Sequence, residues 1–150
     1  MRHISEVDES LKVNTTIGKD DVVFYDIEKE PFKIYGVKLE NGRYRRMPEA
    51  TAKSVSDALD FLHSQTSGGR VRFKTDSPYI AIHAEMPYIG KMPHFALTGA
   101  AGFDIYEKID GKETYRSTLV PPFEITDGYE AVQNRRTDEL REVTINFPLY

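Results

Sequence analysis

Apolar and polar residues alternate along many short segments of this chain, and turn residues separate each segment from the next. Segments of this kind, rich in Val, Ile, Tyr, Phe and Thr, are typical of half-buried β-strands. The pattern predicts eight or nine strands, and so an all-β fold: a β-sandwich of jelly-roll type with one short helix. The predicted strands span residues 22–27, 32–39, 44–47, 71–75, 79–85, 103–108, 114–120 and 142–149.

Turn motifs and one stretch of helical spacing complete the predicted order of elements. Asn41-Gly42 tolerates the positive φ values of a type I′ turn and predicts a hairpin. A helix is predicted between Pro48 and Ser67, because apolar residues recur there at three- and four-residue steps. Polar residues interrupt this pattern, so a short helix followed by an extended piece fits it as well. The apolar residues are Ala52, Val55, Leu59 and Leu62.

Length and composition fit one domain. The chain has 150 residues, of which 20 are basic and 24 acidic, and a net charge of −4. Residues 1–21 are weakly patterned, and we expect the sandwich to occupy residues 22–150. The acidic balance argues against a nucleic-acid partner that needs a basic surface. The absence of cysteine excludes disulfides, thiolate catalysis and cysteine-based zinc sites.

The two chain ends bear on location and completeness. The first ten residues lack the apolar core of a signal peptide, and no apolar run approaches bilayer length. We therefore expect no membrane partner and a cytoplasmic location, or an extracytoplasmic one if a leader was removed. The last predicted strand runs into Tyr150 without a polar tail. Either a sheet holds this end, or the sequence continues beyond it.

Ser77, Asp60 and His63 are the residue types of a serine hydrolase, which needs a nucleophile, a base and an orienting acid. No Gly-x-Ser-x-Gly elbow presents the Ser77 hydroxyl, however. The sequence Asp76-Ser77-Pro78 has the chemistry of a β-turn. The residues favour a turn, and no catalytic residue is predicted in this chain.

Two further patterns could hold a ligand. His83 and Glu85 share one strand face and His94 lies one loop away, so the three could form a facial metal triad. The run Gly99–Gly102 is glycine-rich like a phosphate loop, but a strand follows it where such loops need a helix. Strand histidines more often face solvent or a satisfied core, and glycines often allow close packing. The prediction is therefore no metal and no cofactor.

Residues 86–95 form a predicted loop that is unusually apolar. Such a loop is costly to leave in water, and exposed apolar patches usually mark interfaces. Two alternatives stay open: the loop contacts a partner or ligand, or it folds back over one end of the sandwich. The candidate residues are Met86, Tyr88, Met92, His94 and Phe95.

Charged and aromatic residues within the strands are further candidates. Asp104 interrupts an apolar strand and needs partners if its face is covered, and Arg70 or Arg72 could supply them. The basic residues of segment 43–46 favour a solvated face that pairs with acidic residues. Without tryptophan, tyrosine is the remaining platform for sugar stacking, which leaves carbohydrate as a candidate ligand. The tyrosines predicted to be exposed are Tyr44, Tyr79, Tyr88 and Tyr129.

Several of these segments together resemble a known family. Gly102-Phe103-Asp104-Ile105-Tyr106 is similar to the Gly-x-Asp-Leu-Tyr motif that names the N-terminal domain of bacterial SGNH-type (GDSL-like) esterases, with Ile in place of Leu. The order and spacing of five other segments add to the resemblance, which covers residues 22–150. Those segments are Tyr44–Pro48, Gly68–Ser77, Met92–Phe95, Val120–Pro122 and Thr144–Tyr150.

The resemblance implies a jelly-roll sandwich that packs beside a flavodoxin-like catalytic domain of the same polypeptide. That domain would begin after Tyr150 and carry the catalytic Ser, the oxyanion-hole Gly and Asn, and the Asp-x-x-His. The chain would be a non-catalytic accessory domain of an esterase that removes acyl groups from carbohydrate. An isolated domain could also dimerise through the surface that the second domain would cover. The residues given a structural role are Gly102, Asp104, Tyr106, Arg70 and Arg72.

Two other classes of function remain as alternatives. The chain could be an independent carbohydrate-binding module, in which tyrosine side chains stack on sugar rings. It could instead be a small metal-dependent enzyme built on His83, Glu85 and His94.

Overall fold

A computed structural model describes residues 14–150, in which nine strands and three helices form a mostly β-fold. The strands are β1 (Lys33–Tyr35), β2 (Lys38–Glu40), β3 (Arg43–Arg45), β4 (Arg70–Thr75), β5 (Tyr79–Glu85), β6 (Phe103–Ile109), β7 (Lys112–Leu119), β8 (Gly128–Asn134) and β9 (Arg141–Asn146). The helices are α1 (Glu49–Val55), α2 (Asp57–Leu62) and α3 (Leu97–Ala101).

The strand pairs of the described residues are all antiparallel. The largest sheet has five strands in the order β1-β4-β9-β6-β7, and two smaller sheets pair β2 with β3 and β5 with β8. The predicted all-β class is confirmed, with three short helices among residues 14–150 where the sequence predicted one. The jelly-roll connectivity stays a prediction.

The main core lies between the five-stranded sheet and the β5-β8 pair. Val71, Ile145 and Ile105 are paired across adjacent strands of the large sheet and are buried. Ile80 of β5 belongs to the same buried cluster, and Val143 of β9 has no exposed surface. Every second side chain of a strand points to the same face, so the alternation seen in the sequence builds this core.

Two tight turns follow their sequence signals. Asn41 and Gly42 join β2 to β3 with φ values of 51° and 74°. Asp110 and Gly111 join β6 to β7 with φ values of 49° and 78°. Positive φ at both central residues is what a type I′ hairpin turn requires, so the predicted hairpin at Asn41-Gly42 is confirmed.

Three strand predictions need correction. Residues 22–27 form no strand, although Val22 is buried and the Phe24 ring packs on His83 with centroids 5.7 Å apart. The alternation of apolar residues in this segment reflects the burial of side chains, while its backbone pairs with no strand of the described region. The predicted strand 32–39 is divided into β1 and β2 at Gly36, which has a φ of +78°. β8 was not among the predicted strands.

The predicted helix is divided at Ser56. This residue is extended, with a φ of −171°, and its Oγ accepts a hydrogen bond from Leu59 N at 3.2 Å. It therefore ends α1 and caps α2. On the face expected to be apolar, Ala52 is fully buried but Val55 is 65% exposed. Among the described residues, no helix is long and apolar enough to cross a membrane.

Candidate functional site

The loop of residues 86–96 connects β5 to α3, and its first half folds back over one end of the sandwich. Met86 N donates a hydrogen bond to the carbonyl oxygen of Asp127 at 2.8 Å. The side chains of Met86 and Ile89 pack, together with Leu97, against a second small core. The buried members of that core are Ala101, Ile125 and Tyr129.

Two aromatic side chains stay in water on this loop and its neighbour. Tyr88 is 74% exposed, and Phe123, which follows Pro121-Pro122, is 79% exposed. Lys91 links the two loops, because its Nζ donates to the Phe123 carbonyl at 2.9 Å and lies 5.6 Å from the centroid of that ring. Large aromatic side chains left in water form the kind of patch that marks an interface.

The last two residues lie against the same loop. Leu149 N and Tyr150 N donate to the carbonyl oxygens of Gly99 and Ala100 at 3.3 and 3.4 Å. The Tyr150 ring meets Phe95 edge-on, with centroids 5.2 Å apart. Both terminal side chains remain more than two-fifths exposed. We define the loop surface by its residues, which are 86–96, Phe123, Leu149 and Tyr150.

The loop surface contains all five residues predicted for an interface. Met86 is turned inward, Met92 and Phe95 are half-buried, and Tyr88 and His94 are exposed. One part of the loop therefore covers the sandwich and the other part faces solvent, and contact with a partner or ligand stays a prediction.

Gly102 opens β6 directly after α3, and its amide donates to the carbonyl oxygen of Thr98 at 2.9 Å. A Cβ at this position would lie 2.3 Å from that oxygen and 3.0 Å from the side chain of Thr118. The last turn of α3 therefore closes on a residue that must lack a side chain. This is the physical reason for glycine at the first position of the Gly-x-Asp motif.

Asp104 and Tyr106 lie on the outer face of the five-stranded sheet. Thr118 donates to Asp104 Oδ1 at 2.6 Å, and the Tyr115 hydroxyl lies 2.8 Å from the same threonine oxygen. The Tyr106 and Tyr115 rings meet edge-on, with centroids 5.6 Å apart. These two motif residues thus hold β6 to β7.

Arg70 and Arg72 lie on the same face as Asp104 but do not bind it. Both guanidinium groups lie over the Tyr35 ring, at 5.9 and 5.5 Å from its centroid. Asn146 of β9 lies between Asp104 and Arg70 in the strand register. Two strand spacings of about 4.8 Å each therefore separate the acid from the arginine that was considered as its partner.

Ser77 and His63 are each engaged in local structure. Ser77 Oγ donates to the carbonyl oxygen of Tyr79 at 2.8 Å, which fits the predicted turn. His63 is 3% exposed, and its Nε2 accepts from Arg45 at 2.5 Å while Nδ1 donates to the Asp60 carbonyl at 2.6 Å. No hydrogen bond of the described region joins the serine to the histidine, so a catalytic triad is not assembled from them.

Arg45 is the buried member of the basic segment 43–46. Its Nε and Nη2 lie 3.5 and 3.3 Å from the carboxylates of Glu40 and Glu49. The expected pairing with acidic residues is therefore present, but Arg45 itself is 8% exposed rather than solvated. It joins the β2-β3 hairpin to the start of α1.

The tyrosines predicted to be exposed differ in their surroundings. Tyr88 is exposed, and Tyr44 and Tyr79 are half-buried. Tyr129 is 8% exposed, and its hydroxyl donates to backbone carbonyls of α3 and β7. The prediction for Tyr129 is wrong, because alternation places this residue on the inner face of β8.

His83, Glu85 and His94 do not form a metal-binding cluster. His83 Nδ1 lies 2.9 Å from Glu130 Oε1 on the paired strand β8. Within residues 14–150, no group of three or more His, Asp and Glu side chains could hold a metal ion. The facial triad considered from the sequence is not assembled.

Glu130 anchors the segment that precedes Ile17. Its Oε2 accepts hydrogen bonds from Thr15 Oγ1 and from both the amide and the hydroxyl of Thr16, at 2.7–2.8 Å. Burial raises the pKa of this carboxyl, but hydrogen bonds from His83, Thr16 and Thr15 outweigh burial and lower the pKa to about 2.

The substitution Glu130→Gln is expected to destabilise the chain at neutral pH by about 1–3 kcal/mol, because charge-assisted hydrogen bonds are lost. The folded-state pKa lies below the ordinary 4.5, so ionised Glu130 stabilises the fold above that value. This contribution is lost as the pH falls from about 4.5 towards 2. In thermal unfolding across this pH range, the melting temperatures of the variant and the parent should converge. Glu85→Gln, an exposed position on β5, should change little; an equal loss there would contradict the assignment.

Glu107 was not predicted from the sequence and is 1% exposed on the inner face of β6. Arg135 Nε lies 2.7 Å from Glu107 Oε1, and Arg141 Nη1 lies 3.1 Å from Oε2. Arg135 also donates to three backbone carbonyl oxygens. The sequence did contain a signal for this burial, because strand alternation places the Glu107 side chain on the same face as Phe103 and Ile105.

Comparisons with known proteins agree on the fold. The family model GxDLY, described as the N-terminus of SGNH-hydrolase-type esterases, matches residues 22–150. A chain from Bacteroides ovatus described as a GDSL-like lipase is 24% identical with a TM-score of 0.69, over 79% of this chain and 35% of that one. Salicylyl-acyltransferase SsfX3 of a tetracycline biosynthetic pathway is 20% identical with a TM-score of 0.56, over 79% of this chain and 33% of that one. The chain spans about a third of the length of each, and at these identities the likeness shows the fold alone. No curated protein matched the chain.

Proposed function

The chain belongs to the GxDLY family, the N-terminal domains of SGNH-hydrolase-type esterases, and we propose that it is a non-catalytic accessory domain that packs on a catalytic domain of its own polypeptide. The loop surface carries this proposal, because it leaves the Tyr88 and Phe123 rings in water on two loops that Lys91 joins. A catalytic domain that packs on this surface would cover both rings. Interfaces between domains of one chain bury about 600–1,500 Å².

We also propose that the complete protein is an ester hydrolase that removes acyl groups from carbohydrate. The catalytic groups would all belong to the second domain. The side chains of Ser77 and His63 form hydrogen bonds to other groups and not to each other, which supports a non-catalytic role for this chain. Its contribution would be to hold the loop surface against the catalytic domain and to shape one rim of the substrate cleft.

The first test is the size of the native product in its own cells, detected with an antibody against this domain. We expect a band well above 17.2 kDa, large enough to include a second domain. That product should hydrolyse acyl esters of sugars, and the 150-residue chain by itself should not. A band at 17.2 kDa would contradict the accessory role and favour a module that works without a second domain.

The substitution Phe123→Ser is expected to destabilise the contact between the two domains by about 1.5–3 kcal/mol, the value of burying one large apolar side chain. In the 150-residue chain the same change should leave unfolding almost unaltered, because Phe123 is 79% exposed there. The measurement is thermal unfolding of both forms.

Phe61→Ser is the matched control, since Phe61 is 65% exposed on α2 and lies outside the loop surface. If the two-domain protein tolerates both substitutions equally, the loop surface is not the domain interface.

One observation favours a second candidate, a carbohydrate-binding module. On the outer face of the five-stranded sheet, Tyr35 and Tyr115 are 41% and 54% exposed, and two arginines lie over the Tyr35 ring. Exposed aromatic rings on a sheet face can stack on sugars. Calorimetry with plant and bacterial glycans tests this, with Tyr35→Ala as the variant; no heat with any glycan would remove the candidate.

A further inference from the structure

A cleft lies between β7 and β8, at the open side of the sandwich. β7 is the edge strand of the five-stranded sheet, and in the described part of the chain β8 pairs with β5 alone. The cleft has a volume of about 240 Å³. Side chains of β6, β7 and β8 line it together with the residues that follow β8. It is separate from both the loop surface and the outer sheet face.

The cleft is rich in positive charge although the chain as a whole is acidic. Arg116, Arg135 and Arg136 line it, against the single carboxylate of Glu107. That carboxylate is already bound by Arg135 and by Arg141. Arg116 lies close enough to Glu107 to contribute to the lowering of its pKa. The cleft therefore keeps a surplus of positive charge.

Several donors at the cleft have no partner among the described residues. Ser117 Oγ is buried and forms no hydrogen bond. Arg116 and Arg136 are exposed, and neither guanidinium forms an ion pair or a hydrogen bond with residues 14–150. Buried hydroxyl groups are nearly always hydrogen-bonded, so an orphaned one beside a cleft indicates a partner from outside residues 14–150.

We propose that this cleft binds an oxyanion, the carboxylate or phosphate group of a sugar-sized molecule. Arg116 and Arg136 would pair with the anionic oxygens, because a planar guanidinium matches carboxylate and phosphate geometry. Ser117 would donate its hydroxyl hydrogen to the same group after its side chain turns towards the cleft. Gln133, which also lines the cleft, would supply an amide for the rest of the ligand. The volume is just below the roughly 300–1,000 Å³ of small-molecule pockets, which leaves room for more than a bare ion.

The test is a titration of the 150-residue chain, followed by NMR chemical shifts, with sodium glucuronate, inorganic phosphate and neutral glucose. We expect saturable shifts at cleft residues with at least one of the two anions, and none with glucose. Saturation by glucuronate assigns the site to carboxylates, and saturation by phosphate assigns it to phosphates. Affinity should fall with added salt, as it does for partly exposed charges.

Variants distinguish a specific anion-binding site from nonspecific electrostatic attraction of anions to the protein. Arg116→Gln and Arg136→Gln are each expected to weaken anion binding at least fivefold, and Ser117→Ala severalfold. Arg43→Gln is the matched control, because Arg43 is an exposed arginine on the β2-β3 hairpin. Equal weakening by Arg43→Gln, or no saturable shift with either anion, would overturn the proposal.

Discussion

Glu107→Gln is expected to lower the free energy of unfolding by about 3–5 kcal/mol, the cost of leaving a buried charge without its partner. Arg135 would lose its carboxylate while its side chain remains almost fully buried. Gln keeps the size of the side chain, so the effect isolates the charge. Urea unfolding at neutral pH measures it directly.

The pH dependence of this pair supplies a second readout. Burial raises the pKa of Glu107, but the hydrogen bonds from Arg135 and Arg141 outweigh burial and hold the pKa below its ordinary value. Ionised Glu107 therefore stabilises the fold above the ordinary pKa, and this contribution is lost as the pH falls through the lowered one. The difference in the free energy of unfolding between the parent and the variant should decrease as the pH falls.

Glu142→Gln serves as the control for the same experiment. Glu142 pairs with Lys108 at 3.5 Å on the outer sheet face, where both side chains are about a third to a half exposed. Exposed ion pairs contribute about 0–1 kcal/mol. A loss at Glu107 no larger than the loss at Glu142 would show that the buried pair is not a main support of the fold.

Gly102→Ala is expected to cost about 3 kcal/mol, the upper end of the overpacking range. The new methyl group would lie 2.3 Å from a backbone oxygen of α3, and backbone cannot turn aside as a flexible side chain can. Either α3 or the start of β6 must shift. Because carbonyls of Gly99 and Ala100 hold the last two residues, the shift should also disturb the loop surface.

Chemical unfolding and near-ultraviolet circular dichroism together measure both consequences. The second reports on the packing of the aromatic side chains, Phe95 and Tyr150 among them. Gly18→Ala is the control, because a Cβ there would meet no atom within 4 Å beyond its two neighbouring residues. Parent-like stability and an unchanged aromatic signal in Gly102→Ala would refute the steric explanation for the motif glycine.

Local sequence signals predicted much of the fold. The alternation in β4, β5 and β9 and the turn at Asn41-Gly42 depend on few neighbouring residues, so their outcome matches the prediction. The division at Gly36 was not predicted, although the apolar positions change phase there, from Phe32 and Ile34 to Val37 and Leu39. In residues 22–27 apolar side chains also alternate and are partly buried, but the backbone of this segment pairs with no strand among the described residues. Strand pairing needs a free sheet edge beside the segment, and the sequence pattern does not show whether one is there.

The candidate sites divide in the same way. The apolar character of residues 86–95 was visible in the sequence, but the exposed partner Phe123 lies about thirty residues away and meets the loop only in the folded chain. In the sequence, Glu107 stands out as a charged residue at a position whose side chain points to the inner face of the predicted strand. Its partners are 28 and 34 residues away, beyond any local pattern.

The sequence by itself determined the all-β class, the main strands and turns, the family motif and the apolar loop, because each depends on the chemistry of adjacent residues. Tertiary structure decided which side chains meet across strands. It paired Asp104 with Thr118 rather than with an arginine, buried Tyr129 and gathered the arginines of the β7-β8 cleft. The physical reason is that strand order and register bring distant residues within the few ångströms over which hydrogen bonds and ion pairs act.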